Sequence, residues 1–184
     1  MIKVGAIGDE YSSSTHGKVF DDKGRTKISQ IFISHDHLCI RSIQFQYVED
    51  GDLVLSPLYG ANKGSKFDVI SFDLDDEILT RVSGSYIYEY SRIGSLKFDT
   101  NRGTYGPFGI VKSSDIAFDF CCGNYSGFGG FHGTADDGCL RKIGIYINPR
   151  KSIKASSAEE ISEVKVERAT QIWTWENLSD LSIP

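Results

Sequence analysis

Two imidazoles and a carboxylate stand in a row at His35-Asp36-His37, the donor types of a transition-metal clip. No third ligand accompanies them, and the other reading is a solvated turn. Asp73, Asp75, Asp76 and Glu77 gather four carboxylates that could attract Ca²⁺, but they lack the regular ligand spacing of a calcium loop and also read as a solvated turn. Cys121-Cys122 and the distant His132 supply the types of a thiol nucleophile and its base. Nothing places an orienting acid beside them, so core packing or a redox liability is the competing account. Glycine is abundant, at 19 residues, yet no Gly-rich turn leads from a strand into a helix as a phosphate loop requires. These groups assign no metal, cofactor or catalytic residue, and the chain does not read as an enzyme.

Bulk properties narrow the classes further. The 184 residues fit one domain with an appendage, and 40% hydrophobic and 24% charged residues suit a globular core. A net charge of −5 without a Lys/Arg-rich run excludes a nucleic-acid footprint. No apolar run approaches the ~18 residues of a membrane span. Met1-Ile2-Lys3-Val4-Gly5 lacks the pattern of a secretory signal, so a cytoplasmic protein with free thiols is expected. Of its cysteines, Cys39 and Cys139 fall beside repeated strands and read as small buried hydrophobes.

Those repeated strands are the elements that must position any site. Ile40-Arg41-Ser42-Ile43-Gln44-Phe45, Ile93-Gly94-Ser95-Leu96-Lys97-Phe98 and Leu140-Arg141-Lys142-Ile143-Gly144-Ile145 are three versions of one pattern. Their starts lie 93 − 40 = 53 and 140 − 93 = 47 residues apart, which implies a sheet repeated three times around one core. Ile43, Phe45 and Tyr47 alternate with polar residues, as in a half-buried strand, and Ile31 and Ile33 share that period of two. Asp50-Gly51 between two such runs predicts a tight hairpin. About a dozen short strands and no helix up to Ile147 give an all-β sandwich, barrel or prism. Beyond Pro149 the texture changes. Ser157-Ala158-Glu159-Glu160 matches a helix capping box, Val164–Glu167 alternates like a strand, and Trp173 and Trp175 predict a docking or partner-binding end.

The string Ser95-Leu96-Lys97-Phe98-Asp99-Thr100-Asn101-Arg102-Gly103-Thr104-Tyr105-Gly106-Pro107-Phe108-Gly109 resembles the jacalin-related lectins of plants. So do Ile28–His35, Ile40–Tyr47, Phe20-Asp21-Asp22-Lys23-Gly24, Gly129–Gly133 and Ile143–Ile147, in the right order over roughly residues 2 to 148. The resemblance implies an all-β fold, a β-prism of three four-stranded Greek-key sheets with pseudo-threefold symmetry. It divides the chain into a lectin-type domain, 1–149, and a C-terminal extension, 150–184.

A monosaccharide pocket is also implied, between an N-terminal Gly-Gly turn and a Gly-x-x-x-Asp loop before the last strand. A carboxylate there accepts two sugar hydroxyls in charge-assisted bonds. This chain departs from the pattern. Gly8 is followed by Asp9 in place of a second glycine, Asp137 stands at the loop's glycine position, and Arg141 stands at its aspartate. Arg cannot accept a hydrogen bond. The loop is one residue longer, so Asp136 or Asp137, with Gly138 beside them, could supply the carboxylate by shifting. A second Gly-rich loop at Tyr59, Gly60 and Ala61 offers either a ring to stack on a sugar or a structural turn with an exposed tyrosine. The expected partner is a glycan, of mannose rather than galactose type, because the galactose form needs an N-terminus made by cleavage. The expectation is a plant-defence lectin with a degraded or altered site. The alternative is an adaptor that lost sugar binding and restricts virus movement through protein partners or self-association.

Overall fold

The computed structural model describes residues 1–8, 17–121 and 127–148. The chain divides into two units, Met1–Arg150 and Lys151–Pro184. The second unit, with the capping-box segment, Trp173 and Trp175, lies outside the described residues, as do Asp9 and Cys122.

Among the described residues thirteen strands run in the order β1 (Ile2–Gly8), β2 (Lys18–Asp21), β3 (Lys27–His35), β4 (Ile40–Glu49), β5 (Asp52–Leu55), β6 (Tyr59–Gly60) and β7 (Lys66–Ser71). They continue with β8 (Leu79–Ile87), β9 (Arg92–Thr100), β10 (Thr104–Gly109), β11 (Ile116–Cys121), β12 (Gly127–Ala135) and β13 (Leu140–Asn148). One 3₁₀ turn, Tyr88–Tyr90, is the sole helical element among the described residues.

The strands form three antiparallel sheets with one topology. In the sheet ordered β10-β9-β8-β11, the chain makes a central hairpin, adds a strand outside β9, then returns to pair outside β8. That is a Greek key. The order β5-β4-β3-β7 repeats it, with the two-residue β6 adding a fifth member on β4. In β1-β13-β12-β2 the hairpin comes from the end of the domain, and the first two strands take the outer places. Sheet closure therefore ties the beginning of the domain to its end. The Asp50-Gly51 hairpin forms as expected, with φ of 51° and 94° and Glu49 paired to Asp52.

The three sequence repeats are the strands β4, β9 and β13. Period-two alternation sends equivalent side chains inward, and they meet in layers. Ile40, Ile93 and Leu140 form one layer, and Ile43, Leu96 and Ile143 the next; all six are fully buried. The third layer holds Phe45, Phe98 and the smaller Ile145. Phe131, paired with Ile145 across the hairpin, fills the difference. Its ring stacks on Phe45 at 4.1 Å with 7° between planes and meets Phe98 edge-on at 6.5 Å. One aromatic ring from each sheet thus closes the core, and such pairs add to ordinary burial.

Two buried polar side chains, Asp22 and His35, are well matched. Asp22 accepts from Tyr47 Oη at 3.0 Å and from Tyr59 Oη. His35 Nδ1 accepts the Gly109 amide at 3.1 Å, so Nε2 carries the proton it shares with Asp68 at 2.7 Å. That imidazole joins the β3 end of one sheet to the β10 end of another.

Replacing Phe131 by Ala leaves a cavity where the three sheets meet. Urea denaturation should show a loss of about 3–5 kcal/mol, the range for buried aromatic truncations. A loss below 1 kcal/mol would mean that Phe131 does not close the core.

Candidate functional site

Each central hairpin ends in a short turn, 36–39, 88–91 or 136–139, and side chains from these turns meet at one end of the domain. Two of the turns are built alike. Asp136 Oδ1 accepts the Gly138 and Cys139 amides, each at 2.8 Å. Its Oδ2 receives Arg141 Nε at 2.7 Å and Nη2 at 2.5 Å. In the first turn Asp36 caps the Leu38 and Cys39 amides and receives Arg41 Nε at 2.7 Å. The repeated pattern is Asp-x-x-Cys-x-Arg, at 36–41 and 136–141.

The arginines then reach across to neighbouring turns. Arg41 Nη1 donates to the Gly138 carbonyl at 3.0 Å. Arg141 Nη1 donates to the carbonyls of Tyr90 at 2.7 Å and Ser91 at 2.9 Å. The second turn has Gly94 at the equivalent place and returns no arginine; it accepts instead. Its backbone closes through Ser91 at φ 48°.

Burial alone would raise the Asp136 carboxyl. The Cys139 amide, the Arg141 guanidinium and the Gly138 amide outweigh it, and the group titrates below the ordinary carboxylate range. Asp36 is lowered in the same way, with Arg41, Leu38 and Cys39 acting against burial. Both carboxylates are ionised and saturated by their own turns.

This decides what each candidate residue can offer. Arg141 braces the turns, and Asp136 has no unsatisfied oxygen to give a ligand. Asp137 is exposed, and its carboxylate makes no hydrogen bond or ion pair among the described residues. Its carbonyl accepts Lys63 Nζ at 3.4 Å. Gly138 carries the carbonyl that Arg41 holds. Gly8 lies against Arg141 and Lys142 at φ 144°, where a Cβ would fall 2.5 Å from the Arg141 carbonyl. Gly60 repeats that close approach to the Arg41 carbonyl at φ 99°. A side chain at either position would push the Gly-rich loop off its turn.

Tyr59 corrects both sequence readings of that residue. Its hydroxyl is held by Asp22 and its ring stacks on Phe20 at 4.1 Å with 11° between planes. It is neither an exposed tyrosine nor a free platform for a sugar. Ala61 fastens its loop by donating its amide to Arg41 at 3.1 Å.

A groove of about 980 Å³ opens between these parts, walled by Lys18 and Asp21 of β2, Leu58 and Tyr59 of the second loop, and Asp137 and Gly138 of the third turn. On the far side of Arg141, the second turn exposes the rings of Tyr88 and Tyr90, at 68% and 53%. Arg92 lies 4.5 Å from the Tyr90 ring centre. Residue types alone did not single out these tyrosines. The Asp-x-x-Cys-x-Arg repeat was the readable signal for the braced turns.

The remaining constellations are structural. His35 is buried, not solvated, and both its ring nitrogens are engaged. Arg102 pairs with Asp73 and Asp76, and Glu77 is buried, accepting from Thr100, Tyr105 and the Asp73 amide. His132 is buried with Nε2 donating to the Val4 carbonyl; burial, then the charge of Lys3, holds it below its usual range. Cys121 is exposed at the end of β11. No group of three or more metal-ligating side chains occurs among the described residues. No helix among them is long and apolar enough to cross a membrane.

The family description "Jacalin-like lectin domain" matches residues 8–146. The protein RESTRICTED TEV MOVEMENT 1 of Arabidopsis thaliana is 43% identical over 167 residues, covering 86% of this chain and 95% of its own. A second Arabidopsis thaliana protein, described as inactive RESTRICTED TEV MOVEMENT 1, is 42% identical over the same shares. Among solved structures, a mannose-binding jacalin-related lectin from Ananas comosus superposes with a TM-score of 0.68 at 29% identity. It covers 81% of this chain and 98% of its own.

Replacing Asp136 by Ala should cost about 2 kcal/mol at neutral pH, since it removes charge-assisted hydrogen bonds. Because the folded carboxyl titrates below its unfolded value of about 3.9, this contribution is complete above that value. It is lost as pH falls through the folded value. Denaturation of wild type and variant from pH 7 to pH 2 should therefore show a difference that shrinks on the acid side. A pH-independent difference would mean that the carboxylate charge does not hold the turn.

Proposed function

The chain belongs to the jacalin-like lectin family, and from that premise we propose that it is a glycan-binding module whose ligand-facing carboxylate is Asp137. The observation that carries this reading is the division of labour between adjacent acids. Asp136 is spent on its own turn, while Asp137, exposed and with no side-chain partner among the described residues, lines the groove. A free carboxylate can accept two vicinal hydroxyls in charge-assisted bonds, and Gly138 beside it lets a ring approach the backbone. Lys18 of β2, which also lines the groove, supplies a donor. A mannose-type ligand is proposed because the related Ananas comosus lectin is described as mannose binding. On this reading the site is altered, not erased: Arg141 is a brace where the family pattern has an acceptor, and Asp137 supplies the carboxylate. No step of covalent chemistry is assigned to it.

A second reading rests on a different observation. The outer face of the sheet β5-β4-β3-β7 exposes Leu53, Leu55, Phe67 and Val69. Such a face suits protein contact. Similarity to RESTRICTED TEV MOVEMENT 1 and to the relative described as inactive supports a plant-defence adaptor restricting virus movement.

A glycan array followed by calorimetry tests the first reading. Wild type should bind terminal α-mannosides, and Asp137→Asn should weaken that binding at least tenfold, about 1.4 kcal/mol. Silence of the wild type across the array, or equal affinity for the variant, would remove the proposal and leave the adaptor reading.

A further inference from the structure

Strand β7 closes the sheet order β5-β4-β3-β7, and among the described residues β3 is its only partner strand. The backbone N–H and C=O groups on its other edge have no partner there, and such an edge is a template for another strand. Most outer strands of the domain blunt their edges. β1 and β10 are bulged, and β2 and β5 are four residues long. β11 is regular, but its outward row carries Ala117 and Asp119, without apolar bulk. β7 keeps unbroken register with β3 from Gln30–Ser71 to His35–Lys66. Its outward residues Phe67 and Val69 are 58% and 47% exposed, and the Phe67 ring packs on Phe32 at 6.5 Å.

We propose that the free edge of β7 pairs antiparallel with the same edge of a second copy, about a twofold axis at Asp68, to give a reversible homodimer with one continuous sheet. This pairing rests on the protein-contact reading of that sheet and names its partner; it does not need the sugar-binding one.

Side-chain alternation chooses the register. Opposed residues of an antiparallel pair share a face, so outward Phe67 must meet another outward residue. An axis at Asp68 sets Phe67 opposite the partner's Val69, with residues 66–70 of both copies paired. An axis at Val69 would set Phe67 against the partner's Ser71, and one at Phe67 would leave only residues 66–68 in the pair. Charge agrees with the first choice. Asp68 meets the partner's Asp68 at the axis, where two carboxylates alone would repel. Lys66 lies diagonally across from the partner's Asp68, about 7–8 Å away and within reach of its long side chain. Lys66 is exposed and makes no hydrogen bond or ion pair among the described residues, while Asp68 holds the His35 imidazole at 2.7 Å. Two free cations thus match two anions. A strip this narrow belongs with interfaces below ~1,200 Å², which form weak, reversible complexes. Because the paired strands run opposite ways, the turn ends of the two copies point in opposite directions. On the glycan reading such a dimer is bivalent, with one groove at each end.

Sedimentation equilibrium of the full chain tests this from about 1 to 300 µM, a range that brackets a weak, micromolar Kd. The average mass should rise from 20.4 kDa toward twice that value. Val69→Lys and Lys66→Glu should each raise Kd roughly tenfold or more. Lys112→Glu, the same charge change at an exposed position beyond β10, should leave it unmoved. Hydrogen exchange of the wild type should show amides of β7 slowing as concentration rises. If a variant fails to fold, that exchange map still decides. A monomer throughout the range would overturn the pairing. A dimer with exchange slowed in β5 instead, around Leu53 and Leu55, would overturn it and keep the protein-contact reading. A dimer with exchange slowed only outside this sheet would overturn both.

Discussion

Arg141 lies between the carboxylate of its own turn and two carbonyl oxygens of the neighbouring one. A half-buried guanidinium has five donors to satisfy and no way to shed its charge. Satisfying it consumes Asp136 and fixes the second turn at Tyr90 and Ser91. Arg41 does the same from the first turn to the third, so the turns are linked in sequence around the end of the prism. That bracing decides which acid of the third turn is left for a ligand.

The strands and their threefold arrangement were legible because burial leaves a periodic trace. Ile40, Ile93 and Leu140 recur in sequence since each must fill the same layer, and Asp50-Gly51 is readable because few residues accept its backbone angles. The resemblance added the Greek-key order, which alternation alone does not specify. The filling of the core by Phe131 was not legible, because it compensates for Ile145 across a hairpin and not along the repeat.

The site was legible in its members more than in their roles. Asp136, Asp137 and Arg141 are adjacent in the chain, but which carboxylate pairs with the arginine depends on backbone geometry. The Asp-x-x-Cys-x-Arg repeat contained the answer, since Asp36 and Arg41 solve the same problem where no sugar site was expected. Tyr59 misled because its ring and hydroxyl are engaged by Phe20 and Asp22, partners far away in sequence. The His-Asp-His run misled for the same reason, the partners of His35 being Asp68 and Gly109. The acidic cluster is the exposed turn expected at Asp73–Asp76, and only Glu77 is buried, against Thr100 and Tyr105.

The central claim is that bracing and recognition are carried by different residues of one turn. An NMR titration of ¹⁵N-labelled protein with methyl α-mannoside reads this directly. The account predicts saturable shifts at the amides of Asp137, Gly138 and Lys18, with Asp36 and Arg41 unmoved. Shifts confined to residues outside that groove, or none up to millimolar sugar, would contradict it.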